Sequence, residues 1–159
     1  MAPTSYTLYY FPYSICSIQA RYTVAVRGEP KDVTSTATIT EYVVDIMGKD
    51  HLTEEYLCDV NPKGQVPVLM SPSLDKPITE TLDITYHLAK MYPNLIPDAH
   101  RADMERLLRE LHQINYFSLS MKPDVGGPRM QKTKSEIQQT LNGDVSERYK
   151  KALRYKLEV

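Results

Sequence analysis

The chain has 159 residues, 42% hydrophobic and 25% charged, close to the globular norm; this argues against disorder, collagen and membrane spans and leaves one domain or two small packed lobes. Its 19 basic and 20 acidic side chains give a formal charge of -1, so no overall field draws it to nucleic acid or an anionic membrane. Two cysteines, Cys16 and Cys58, are too few for a disulfide scaffold or a four-thiolate zinc site, and with an N-terminus lacking a basic segment followed by an apolar one they point to a reducing, cytoplasmic setting.

Tyr6 to Phe11 is a short aromatic and apolar run stopped by Pro12, the pattern of a first strand. From Cys16 to Arg27, Ile18, Tyr22, Ala25 and Val26 recur at helical spacing, and Gly28 with Pro30 ends the segment. Lys31 to Thr38 is a polar loop, and Ile39 to Met47 carries the β-branched residues of a second strand. Thr53 to Val60 predicts a short helix ended by Asn61-Pro62, because the residue before proline avoids the helical region. A strand at Val66 to Met70, an extended piece at Pro77 to Thr79 and a helix from Glu80 to Met91 follow. The order β-α-β-α-β-β-α implies an α/β domain with a four-stranded mixed sheet.

Beyond Tyr92 the strand pattern disappears. Pro93 to Pro97 reads as a linker, so residues 1–93 are expected to form one unit and 94–159 an all-α unit. Met104, Leu107, Leu108, Leu111, Ile114, Phe117 and Met121 predict one long amphipathic helix. Polar Lys122 to Ser135, with Gly126-Gly127-Pro128, predicts a mobile connection. Ile137, Leu141, Val145, Tyr149 and Leu153 form a last helical pattern broken at Asn142-Gly143. The basic cluster Arg148, Lys150, Lys151, Arg154 and Lys156 within it reads as a solvated helix face rather than a nucleic-acid surface, since Glu147 and Glu158 flank it without an aromatic platform.

The segment from Asn61 to Leu69, NPKGQVPVL, followed by Thr79-Glu80-Thr81, resembles the glutathione-binding half of the cytosolic glutathione transferases. The resemblance covers residues 6–92 well and 98–121 moderately. It implies a thioredoxin-like domain followed by a helical one, glutathione as the bound cofactor or substrate, and a homodimer. That family carries further helices after the long one, so the 94–159 half is expected to be truncated, its apolar stripe covered by the final segment, a second subunit or a bulky substrate. A weaker resemblance, to short fungal transferases of natural-product pathways such as pseurotin biosynthesis, implies action on an activated olefin.

Elementary chemistry fits that motif. Pro67 at the start of a strand suits a cis peptide that turns the Val66 backbone toward an extended peptide ligand. Glu80 and Thr81 open a helix, whose N–H groups favour an anion while the Glu80 carboxylate accepts from an ammonium; together they suit a zwitterionic γ-glutamyl end. Gln65 can donate to the same carboxylate, and His51 or Lys63 can meet the glycyl carboxylate.

Three family patterns overlay the first loop. Tyr10-Phe11-Pro12 with Arg21 resembles the tyrosine-type transferases, Ser14 to Ser17 with Arg21 the zeta class apart from Ile15, and Cys16 the cysteine of the beta class. Glu110-Leu111-His112 is similar to the beta-class segment whose histidine faces that cysteine. Tyr10, Ser14, Cys16 and His112 are therefore the catalytic candidates, and Tyr13, Tyr116, Phe117 and Met121 the candidate walls of an apolar pocket. A thiol of pKa ~8.5 is about 3% ionised at pH 7; lowering it by about 2 units, worth about 2.7 kcal/mol, makes about three quarters thiolate. The thiolate then attacks an electrophilic small molecule, or adds reversibly to an activated olefin and isomerises it; loss of catalysis with retained glutathione binding is the third reading. Cys58 reads as structural, and the dispersed His51, His87, His100 and His112 offer no metal site.

Overall fold

The computed structural model describes residues 4–116 and 123–159. Strand β1 (Thr4–Tyr10) lies at the centre of a three-stranded sheet of order β2-β1-β3. β2 (Ala37–Val43) pairs with it in parallel, from Thr4↔Ala37 to Tyr10↔Val43, and β3 (Val68–Met70) pairs antiparallel, from Thr7↔Met70 to Tyr9↔Val68. The expected fourth strand is only a bridge: Ile78 exchanges two 2.9 Å hydrogen bonds with Leu69. Pro77 has no N–H to give and the chain turns into a helix after Glu80, so one residue is left for pairing.

Parallel pairing of β1 with β2 requires a crossover, supplied by α1 (Ile15–Ala25). Ser14 caps α1: its hydroxyl accepts from the Ser17 N–H at 3.3 Å, while the buried Ser17 hydroxyl accepts from the Phe11 N–H at 3.2 Å. Helix α2 (Thr81–Met91) packs beside α1, joined by the buried contact between the Thr23 and Thr85 hydroxyls at 3.2 Å. Tyr6 and Leu8, alternate residues of β1, meet Ala20, Ile84, Leu88 and Tyr92 in the main core. Truncating a fully buried leucine such as Leu88 to alanine costs about 2–5 kcal/mol.

The segment predicted as a helix at 53–60 forms a single π-helical turn over Tyr56–Val60, closed by the Asn61 N–H donating to the Tyr56 carbonyl at 2.8 Å. Helix α3 (Arg101–His112) is shorter than its apolar pattern predicts, and Phe117 and Met121 lie outside the described residues. The predicted mobile connection is instead helical: α4 spans Pro123–Leu141 through Gly126-Gly127-Pro128. A proline there removes one rung of the helix, and tertiary packing compensates, because Ile137 is buried against Leu52, Leu57, Ala152 and Leu153. The chain breaks at Asn142-Gly143 as predicted, and α5 (Glu147–Glu158) completes it.

This second core seats α4 and α5 on the 52–57 segment of the sheet domain rather than on α3, leaving Leu107, Leu111 and Ile114 exposed. The final segment is therefore not the cover for that stripe among the described residues. α5 is latched at its start: Arg148 bridges Glu54 and Asp59 at 2.8–3.1 Å, and the Tyr149 hydroxyl donates to the Leu52 carbonyl. Arg148 and Lys150, which pairs with Glu147, are thus in ion pairs rather than on a free basic face. No described helix is long and apolar enough to cross a membrane.

The buried Tyr92 hydroxyl accepts from the Ala37 N–H at 2.9 Å, tying the end of α2 to the start of β2. Tyr92→Phe should leave that amide unsatisfied and lower stability by about 1–3 kcal/mol, read as a reduced urea midpoint with an unchanged slope.

Candidate functional site

Sheet topology brings the functional segments to one end. β1 leads through a short loop to the first turn of α1. β3 runs opposite to β1, so the Tyr9↔Val68 pairing sets Val66-Pro67 beside the end of β1. Ile78 pairs antiparallel to Leu69, so the chain leaving it returns to that same end and enters α2 at Glu80. Two helix starts and one turn thus converge, although they are separated in sequence.

The Val66-Pro67 peptide is cis, as the turn suggested. Asn61, read in the sequence as a helix stop and the first residue of the NPKGQVPVL motif, is the hub of this turn. It is 1% exposed, its amide donates to the Gln65 carbonyl at 2.9 Å, and its side-chain and main-chain oxygens accept from the Lys63 and Gly64 N–H groups. The Tyr56 hydroxyl donates to the same Gln65 carbonyl at 2.8 Å. Gly64 is needed here: its φ is +56°, and a Cβ would stand 2.9 Å from the His51 carbonyl oxygen. Val66, two residues on, makes no backbone hydrogen bond among the described residues, so its amide and carbonyl are not used by the fold there.

An open cavity of about 500 Å³ lies between the helix starts. Cys16 of α1, Glu80 and Thr81 of α2, and His112, Ile114 and Tyr116 at the end of α3 line it. Within α1 the Ile15 and Cys16 amides precede the first intrahelical bond, and in α2 the Thr81, Leu82 and Asp83 amides do, so each start is a donor cluster. His112 Nδ1 stands 2.8 Å from the Leu108 carbonyl, which can only accept; in the neutral ring Nδ1 carries the proton and Nε2 is an acceptor. That Nε2 is buried and has no hydrogen-bond partner among the described residues. Tyr116 accepts from the Gln19 side-chain amide at 3.0 Å and donates to the Leu111 carbonyl at 2.9 Å, linking α1 to the end of α3.

The remaining candidates stand apart. The Tyr10 ring carries the Arg21 guanidinium 4.4 Å above it, and Arg21 also pairs with Glu41 at 3.0 Å, tying α1 to β2. Tyr13 is 85% exposed and outside the cavity lining. Lys63 is engaged by Glu80 at 2.8 Å, so its ammonium stands at the carboxylate assigned to a ligand ammonium. Cys58 contacts the Arg148 carbonyl and burial pushes its thiol pKa up, consistent with a structural role. No group of three or more His, Cys, Asp or Glu side chains is arranged for a metal ion among the described residues.

A family model described as glutathione S-transferase, N-terminal domain, matches residues 8–95, more than half of the chain, and the chain belongs to that family. Solved structures share the fold. A Sulfitobacter glutathione transferase homologue with bound glutathione is 16% identical, with a TM-score of 0.56 over 98% of this chain and 83% of its own. A possible glutathione transferase from Rhodopseudomonas palustris is 21% identical at 0.56, over 97% and 82%. Glutathione transferase Omega 1C from Trametes versicolor is 18% identical at 0.56; there this chain covers 64% of that protein's length. No curated protein matches the chain.

The backbone of His51 packs against Gly64. Burial, aided by the nearby Lys156 charge, lowers its pKa from 6.5 to about 4, and burial lowers that of His87 in the same direction. Between pH 6.5 and 4 the unfolded chain binds protons that the folded chain refuses, so stability is full above 6.5 and is lost as pH falls through this window. Urea midpoints should therefore drop between pH 7 and pH 4.5, and His51→Gln should flatten part of that drop. An unchanged slope in the variant would contradict the assignment.

Proposed function

We propose that the chain is a glutathione-dependent transferase that ionises the glutathione thiol at the start of α1 and presents it to an electrophilic, largely apolar small molecule. One observation carries the reading: a single cavity joins the first turns of α1 and α2 to His112. In this reading residues 1–93 are the glutathione-binding unit and 94–159 the helical unit. The Val66 backbone pairs with the extended peptide, and Thr81 with the α2 amides takes the γ-glutamyl carboxylate. Glu80 receives the ligand ammonium, which displaces Lys63. Gln65 adds a donor at the same end.

The sulfur then lies at the first turn of α1. His112 Nε2 accepts the thiol proton, and the Ser14 hydroxyl, the Cys16 thiol and the free amides stabilise the thiolate. The sulfur lone pair forms a bond to the electrophilic carbon while the leaving group departs with its bonding pair. His112 returns the proton to solvent or to the leaving group.

Ser14 favours a second reading. Its oxygen already accepts from the Ser17 N–H, which leaves its own proton to donate, as a zeta-like serine would. On an activated olefin of a fungal natural-product pathway, the thiolate adds, the former double bond rotates, and elimination returns glutathione unchanged. The family's usual homodimer is proposed here too, with a second subunit covering the Leu107, Leu111 and Ile114 stripe, as is a cytoplasmic location.

With glutathione and an aryl halide, Cys16→Ala and His112→Gln should each lower kcat/KM about 100-fold, Ser14→Ala should lower it less, and Tyr10→Phe should change it little. Mass spectrometry with an activated olefin separates the readings: an adduct with equimolar thiol loss denotes conjugation, and geometric change without thiol loss denotes isomerisation. If wild type binds glutathione but shows neither reaction, the chain is a binding protein.

A further inference from the structure

The face of the sheet turned away from α1 and α2 carries another cavity. Tyr6 and Leu8 of β1 point into the main core, so Tyr9 lies on the opposite face, and its register partner Tyr42 of β2 shares that face. The π-helical turn adds Tyr56, which is buried and fixed by its hydroxyl donating to the Gln65 carbonyl. The Tyr9 ring stands 5.2 Å from that of Tyr42 at 51° and 6.3 Å from that of Tyr56 at 79°. Planes so inclined do not stack; they form adjoining walls. The cavity these rings share with Asp50 and Glu55 holds about 280 Å³ and has no lining residue in common with the one between the helix starts.

Charge in this cavity has one sign. No Lys, Arg or His lines it, and neither Asp50 nor Glu55 forms an ion pair among the described residues. The cations on adjoining segments are already engaged, Lys49 by Glu136 and Arg148 by Glu54 and Asp59. Asp50 accepts the Asp45 N–H, whereas the Glu55 carboxylate has no hydrogen-bond partner among the described residues. Burial, then Tyr42 and Glu55, push the Tyr9 hydroxyl pKa up, which sets the Glu55 carboxylate near that ring and keeps the phenol neutral.

We infer that this cavity binds the alkylated ammonium group of a small organic cation, at a site separate from that of glutathione. The face of a tyrosine ring is negative and attracts a cation, most strongly when the cation gives up little water on entering. Carboxylates alone would draw any solvated ion; three rings beside them select a cation clothed in methyl or methylene groups, for which Glu55 is the counter-ion. A metal ion is not suited, since no group of three or more His, Cys, Asp or Glu side chains is arranged for one among the described residues. The volume falls below the ~300–1,000 Å³ of pockets that enclose drug-sized ligands, so the cavity suits a head group. Buried Tyr56 forms its floor and exposed Tyr42 its rim, which opens it at the β2 edge of the sheet.

Titration of the full chain with choline, following the choline methyl protons by NMR, tests this. Their signal should move upfield and saturate, because the methyl groups sit over ring faces, and the neutral isostere 3,3-dimethyl-1-butanol should bind about tenfold more weakly. Glu55→Gln should weaken choline about fivefold and leave the isostere unchanged. Tyr42→Phe should keep the affinity for choline, and Tyr42→Leu, which retains apolar bulk without a π face, should lower it about fivefold. Glu55 and Tyr42 are both exposed, and circular dichroism checks the fold of each variant. Added glutathione should leave the choline affinity unchanged. Choline that fails to bind, binds no more tightly than its isostere, or keeps wild-type affinity in either Glu55→Gln or Tyr42→Leu overturns the inference. Displacement of choline by glutathione overturns the separate site.

Discussion

The arrangement depends on strand β1 having a parallel neighbour on one side and an antiparallel one on the other. Parallel pairing with β2 obliges the chain to cross over through α1, so α1 begins where β1 ends. Antiparallel pairing with β3, and of Ile78 with Leu69, returns both the Val66-Pro67 turn and the start of α2 to that same end. Three segments rich in unpaired backbone groups therefore converge without any one of them being functional alone. The buried contacts of Tyr6, Leu8, Ile84 and Leu88 hold that convergence in place.

Order of elements was legible in the sequence; depth and register were not. Pro12, Asn61-Pro62 and Pro93 act locally, so the boundaries they impose were readable. The β-branched Ile78 and Thr79 predict a fourth strand, yet Pro77 lacks a donor and only Ile78 pairs with Leu69. Gly126-Gly127-Pro128 misled in the opposite direction: local propensity argues for a loop, while Ile137, buried eleven positions after Gly126, anchors the helix through tertiary packing. Long-range partners of that kind leave no local signature.

Within the candidate site, the sequence names the motif residues and does not name the residues that support them. Glu80, Thr81, Val66 and Pro67 carry their chemistry in residue type and spacing. Asn61 and Ser17 do not, since each acts through a buried hydrogen bond to a neighbour's backbone. Asparagine before proline, and serine three residues after a capping serine, were the available signals. Arg148 and Lys150 lie in a basic cluster that reads as solvated, and only the docking of α5 on Leu52 and Leu57 shows them held in ion pairs with Glu54, Asp59 and Glu147. The helical portion thus closes a second core against the 52–57 segment of the sheet domain.

Everything functional follows from where the ligand's sulfur and backbone lie. A crystal structure of the full chain with glutathione is the most direct measurement. The account predicts main-chain hydrogen bonds to Val66, the γ-glutamyl group at Glu80 and Thr81, and the sulfur beside Ser14 and Cys16 at the start of α1. Glutathione bound away from Val66, or with its sulfur directed away from α1, would contradict it.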